Sequence, residues 1–250
     1  MRYKISGFSL IEIAIVLIII GLIGGMTLPS LKAMLDWQKT AITAQNQEKI
    51  LYALASYAIR NKSLPYAASP LNSQEKPHEI IRRRRGIVPY AALDLPEGIA
   101  KDGYHRWFTY VVDDYYTVIP KTGPHMLTQQ PISRLCEKQI HLNPLTIKGI
   151  QGNIAVVLIS HGPQGRGAYP NPLESEGLGN DERQNATSDT EIIDRPISQD
   201  PQNPFSHKVV WVTASNLLAL YGHAPCPPLE EMPKPSNLRL YPGGNTLQTK

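Results

Sequence analysis

Several groups of residues carry side chains that could do chemistry. Ser160-His161 closes the apolar run Asn153-Ile154-Ala155-Val156-Val157-Leu158-Ile159, and a hydroxyl beside an imidazole is the minimum for a nucleophile and its base. Consecutive side chains of a strand point to opposite faces, so these two are badly placed to share a proton. A strand-to-loop turn is expected instead, with Gly162, Gly165 and Gly167 taking positive φ; no catalytic residue is assigned and the chain is read as no enzyme. Between 162 and 207 stand eight acids, Glu174, Glu176, Asp181, Glu182, Asp189, Glu191, Asp194 and Asp200. Hard cations take clustered carboxylates and carbonyls, which makes Asp181, Glu182 and Asp189 weak calcium candidates. No fixed ligand spacing such as D-x-D-x-D-G appears, and Arg166, Arg183 and Arg195 could neutralise part of the charge. The one dense charge run is Arg82-Arg83-Arg84-Arg85. It could contact DNA, acidic lipid headgroups or acids on a neighbouring subunit, but it lacks an aromatic platform, and a solvated loop or subunit contact is the simpler expectation.

Glu12 is the most demanding of these residues. Among the 21 residues from Phe8 to Leu28 only Ser9, Glu12 and Thr27 are polar, and as a helix the stretch is about 31 Å long, close to the thickness of a hydrocarbon core. A carboxylate on such a span costs about 2.5–3.5 kcal/mol at the membrane centre and less towards its end, so Glu12 requires a positively charged partner. Arg2 and Lys4 place the amino terminus on the cytoplasmic side, and everything after Pro29 outside.

Positioning these groups requires a long helix and a sheet. From Ser30 to Arg60 the residues Leu31, Leu35, Ile42, Ile50, Leu54 and Tyr57 recur at helical spacing, with Lys32, Asp36, Lys39, Gln45, Gln47 and Lys49 on another face, which predicts one helix of about 50 residues and about 80 Å. Pro29 is a site for a kink. Residues 107–112 and 115–119, flanking Asp113-Asp114, read as a β-hairpin; 153–159 and 208–213 read as central strands, and Ser215 as the cap of a short helix through Leu220. The fold class is therefore α+β, a long N-terminal helix packed on an antiparallel sheet. The 162–207 stretch lacks periodicity and is expected to be a solvated, mobile loop. With 42% hydrophobic and 18% charged residues, 22 prolines and a net charge of +4, one exported, loop-rich head is expected, and the charge alone does not argue for a nucleic-acid partner.

Gly7-Phe8-Ser9-Leu10-Ile11-Glu12, behind Arg2 and Lys4 and ahead of the apolar run, resembles the prepilin processing motif of type IV pilins and type II secretion pseudopilins. An ordinary secretory signal or signal anchor shares the basic residues and the apolar run, but neither explains a glutamate inside the span. The resemblance implies cleavage between Gly7 and Phe8 by a prepilin peptidase, N-methylation of Phe8, and pairing of Glu12 with the Phe8 ammonium of a neighbouring subunit. It further implies a single-pass inner-membrane protein whose head lies in the periplasm, with other pilin or pseudopilin subunits and an inner-membrane assembly platform as partners. The expected organisation is a leader at 1–7, a transmembrane and assembly helix at 8–29, its amphipathic continuation at 30–61, a head at 62–226 and a Pro/Gly-rich tail at 227–250. A DNA-binding minor pilin using Arg82, Arg83, Arg84 and Arg85 is the alternative. No cofactor other than calcium is suggested, and it is in this family that a calcium site in a head loop is known. Looser similarities to a pseudopilin-like subgroup lie in Gly86-Ile87-Val88-Pro89-Tyr90-Ala91-Ala92-Leu93, Lys101-Asp102-Gly103-Tyr104 and the turn from Ile159 to Ala168. In an oxidising compartment Cys136 and Cys226 read as a disulfide, worth roughly 4–5 kcal/mol in the chain-entropy model; the alternative is two free buried thiols.

Overall fold

The computed structural model describes residues 9–70, 83–117, 143–150, 154–174 and 176–220, and of 23–30 the backbone alone. Helix α1 (Leu10–Asn61, 52 residues) passes through position 29 without a break. It stops where Lys62 adopts φ 58° and ψ 20° and returns its N–H to the Ala58 carbonyl, a left-handed cap that satisfies an orphan carbonyl of the last turn. The head-facing positions are Thr43, Asn46, Gln47, Ile50, Leu54, Ala55 and Ala58, all buried, at the spacing that repeats one helical face. This corrects two expectations. Leu31, Leu35 and Ile42 are exposed, and Gln47, expected on the polar face, is buried and donates to the Lys208 carbonyl. Gln47 lies only about 60° around the axis from Ile50, so whatever covers Ile50 also covers Gln47.

The strands are β1 (Arg85–Ile87), β2 (Thr109–Val112), β3 (Thr146–Ile147), β4 (Ile154–Ser160), β5 (Glu191–Ile192) and β6 (Lys208–Thr213). Four of them form an antiparallel sheet in the order β1-β2-β4-β6, while β3 and β5 pair in parallel beside it. The chain is thus a mixed α+β protein. All of β4 is buried because both sheet faces are covered. Tyr110, Val112, Val156, Leu158 and Val212 share a core with Ile50, Leu54 and Ala58 of α1, and Val111, Val157 and Ile159 pack with Leu145, Ile147 and Ile192. A continuous apolar run rather than an alternating one is what such a strand requires.

The expected hairpin over 107–119 does not form. After β2 the chain enters a 3-10 turn, Asp114–Tyr116, because Asp113 accepts hydrogen bonds from the Tyr115 N–H at 2.9 Å and from the Leu145 N–H at 2.7 Å. The neighbours of β2 are β1 and β4; residues 118–119 lie outside the described residues. The expected mobile loop at 162–207 is also corrected. It carries helix α2 (Asn180–Thr187) and β5, and it buries Glu182, Asn185, Ile192, Ile193 and Phe205. Helix α3 (Ala214–Ala219) is capped by Thr213, whose hydroxyl accepts from the Asn216 N–H, rather than by Ser215.

Candidate functional site

Glu12 sits in the first turn of α1, where Glu12 N–H and Ile13 N–H both donate to the Ser9 carbonyl. It is exposed among Leu10, Ile11, Ile13, Ile15 and Val16, themselves exposed. No described residue of α1 before Thr43 is buried, and the helix meets the head at Lys39, whose carbonyl lies against Gly103, after a rod of about 43 Å. Favourable placement of an acid at a helix N-terminus is worth about 0.3–1 kcal/mol, less than the cost of holding it in lipid. Among the described residues no helix is long and apolar enough to cross a membrane. The described apolar side chains run from Leu10 to Leu22, about 20 Å of axis, and the run continues through Leu28 in the sequence. Gly7 and Phe8, Arg82, and Cys136 and Cys226 lie outside the described residues.

The arginine run is not presented to solvent as a unit. Arg84 Nε lies 3.6 Å from an Asp114 carboxylate oxygen, its side chain 13% exposed. Arg85 is partly buried and donates to the carbonyls of Ser188, at 2.7 Å, and Asn185. Arg84 and Arg85, named above as a possible polyanion contact, thus lie where β1 meets the insert at 162–207 and take partners within the protein itself. The calcium candidates are divided between arginines. Asp181 pairs with Arg195 at 2.6 Å and accepts from Asn203. Glu182 pairs with Arg166 at 2.6 Å and accepts from Ser206. Asp189 lies close enough to Arg85 to favour its charged form. Among the described residues no group of His, Cys, Asp and Glu could hold a metal ion.

Ser160 and His161 take separate partners, as opposite faces of β4 dictate. Ser160 donates to Asp102 at 2.7 Å, and Asp102 in turn accepts from the N–H groups of Tyr104 and Arg106. Gly162, Gly165 and Gly167 adopt φ of 64°, 67° and 83°. This lets Arg106 donate to the Gly162 carbonyl, while a Cβ at Gly162 would lie 2.2 Å from the Ser206 carbonyl oxygen. His161 is fully buried beside His207, ring centroids 4.5 Å apart and planes near perpendicular. The Arg166 carbonyl lies 2.9 Å from His161 Nδ1 and 2.7 Å from His207 Nε2. A carbonyl only accepts, so each of those nitrogens carries its proton there, and the two nitrogens, 3.2 Å apart, share the oxygen rather than bond to each other. That leaves His161 Nε2 to accept from the Thr109 hydroxyl at 2.8 Å.

The amide of Asn185 is fixed in the same way. Its oxygen accepts from the Ile193 N–H at 2.7 Å and its nitrogen donates to the Ile193 carbonyl at 2.8 Å, which turns that nitrogen towards His207 Nδ1, 3.5 Å away. Burial, the neighbouring His207 and the charge of Arg85 hold the His161 pKa well below its usual range. Burial also lowers that of His207, against the opposing pull of the Arg166 carbonyl and Glu182. For Glu182, burial alone would raise the pKa; the hydrogen bond from Arg166, the field of His207 and the Ser206 bonds reverse it, and the group stays charged. This cluster is buried. Chemically it holds the insert onto the sheet. Thr109, Asn185 and His207 were not evident as participants from the sequence, because their partners are tens of residues away.

No protein-family model, no curated protein and no solved structure matches this chain.

Proposed function

We propose that this chain is a structural subunit of a pilin-like filament, a pseudopilin or minor pilin, anchored and assembled through α1. The observation that carries the reading is a single acid, Glu12, on an apolar helical stretch that no described residue covers. Such a surface needs lipid or other proteins around it, and an acid within it needs a cation. In the Gly7-Phe8 processing motif the freshly exposed ammonium of Phe8 is that cation. Two opposite charges in a low-dielectric setting attract strongly, whereas either alone is penalised. A head-and-rod molecule with an antiparallel sheet on the C-terminal half of its helix is the shape such a filament uses.

The test is mass spectrometry of the protein recovered from membranes of cells carrying the cognate prepilin peptidase. The expected product starts at Phe8 and carries one N-methyl group, and Glu12→Ala leaves processing intact while abolishing subunit cross-links along α1. An intact Met1, or a cut beyond Leu28, removes the reading.

A further inference from the structure

We infer that the insert at 162–207 is an acid-released strap, latched over the second face of the sheet by the His161–His207 pair in its neutral form. The latch joins separate pieces of chain at one carbonyl. Arg166, early in the insert, offers its carbonyl to both imidazoles, His161 at the end of β4 and His207 just before β6. Thr109 of β2 and Asn185 of α2 occupy the remaining nitrogens. Each ring nitrogen thus has a partner suited to a neutral ring, the two that share the Arg166 carbonyl standing 3.2 Å apart.

A further proton has nowhere to go. On His207 Nδ1 it would face the Asn185 amide nitrogen, whose orientation the Ile193 backbone fixes, setting donor against donor. On His161 Nε2 it would add charge beside a ring already hemmed in by cations. The charged groups facing the pair are Arg85 from β1, Arg106 from the turn before β2, Arg166 from the insert and Glu182 from α2. Asp102 is engaged by Ser160 and by two backbone N–H groups. Among the described residues Glu182 is the carboxylate facing His207, and it already accepts from Arg166 and from both the N–H and hydroxyl of Ser206. Protonation therefore favours the opened insert, in which the imidazoles reach water. Opening would withdraw Ile192 from the layer it forms with Leu145 and Ile147 over Val157 and Ile159.

The sign follows from linkage. Imidazoles that titrate near pH ~6.5 when open, but lower when latched, bind protons preferentially in the open form, so opening grows as pH falls below ~6.5. Each proton taken up multiplies the opening constant about tenfold per pH unit, and two protons about a hundredfold.

Hydrogen exchange of the full chain in detergent micelles, corrected for intrinsic rates, tests this between about pH 7.5 and pH 5. Protection of the Ile193, Phe205 and Ser206 amides should fall by at least tenfold per pH unit once below ~6.5 while Val111 and Val157 hold theirs. Unchanged protection in the insert, or an equal loss in insert and sheet, overturns the proposal. His207→Gln, which keeps a side-chain N–H donor but cannot titrate there, should flatten the pH dependence; a dependence undiminished in a folded His207→Gln variant overturns it as well. If that variant does not fold, the imidazole resonances of the unaltered chain decide: they must move with the loss of protection, and resonances that stay still across it sink the latch.

Discussion

At the scale of single residues, the junction of head and rod is governed by a missing methyl group. Gly103 approaches α1 so closely that a Cβ there would lie 2.0 Å from the Lys39 carbonyl oxygen, and its N–H donates to the Thr43 hydroxyl at 3.0 Å. Because the obstacle is helix backbone, it cannot swing aside. Gly103→Ala should therefore destabilise the head by about 1–3 kcal/mol. Gly98, in the neighbouring 3-10 turn, has nothing within 4 Å of its would-be Cβ, so Gly98→Ala should be neutral or stabilising by up to about 1 kcal/mol through the unfolded chain. Denaturant midpoints of the pair measure both signs, and equal losses would refute the packing account. The sequence exposed Gly103 only as part of a turn motif. It could not show that Lys39 lies opposite, because that proximity is created by the docking of the helix. The same limit hid the network around His161. Adjacent Ser160 and His161 were correctly separated by strand geometry, whereas His207 is joined to them only once the insert has folded back.

At the scale of elements, apolar runs were legible and their ends were not. β4 and β6 follow from uninterrupted Ile, Val and Leu positions, and α1 follows from helical spacing. β1 was missed because it has three residues, includes Gly86, and adjoins the arginine run. The false hairpin has a specific cause: Tyr115, Tyr116 and Thr117 have strand-forming side chains, but Asp113 overrides that preference by binding one N–H of its own turn and one from Leu145, 32 residues on. A buried carboxylate serving two backbone donors should be costly to remove. Asp113→Ala is expected to lower stability by about 2–3 kcal/mol, combining a lost cap with a buried donor left unpaired. Thermal unfolding of the detergent-solubilised chain gives the value; a loss within about 0.5 kcal/mol, the range of an ordinary surface change, would mean that β2 ends for another reason.

At the scale of the whole molecule, the proposed filament role and the folding of the head fall to different lengths of one helix. The part of α1 that touches the head includes Lys39, whose carbonyl lies against Gly103, and from Thr43 on it is buried through polar as well as apolar residues. Asn46 donates to the Lys101 carbonyl at 2.9 Å, and Gln47 reaches the Lys208 carbonyl at 3.4 Å. The part before it presents Leu10 through Leu22 exposed, and none of its described residues belongs to the head's two hydrophobic clusters. Removing residues 1–30 should therefore leave the head's unfolding free energy unchanged within about 0.5 kcal/mol, since none of the described side chains of this stretch is buried, and should abolish the need for detergent, since the exposed apolar stretch goes with it. Guanidinium unfolding of the truncated chain, set against the full chain in micelles, compares the two. A head that unfolds at much lower denaturant after truncation would show that the N-terminal half stabilises the fold. The head-and-rod division on which the filament reading depends would then have to be given up, because a rod needed to hold its own head together could not be free to pack wholly against its neighbours.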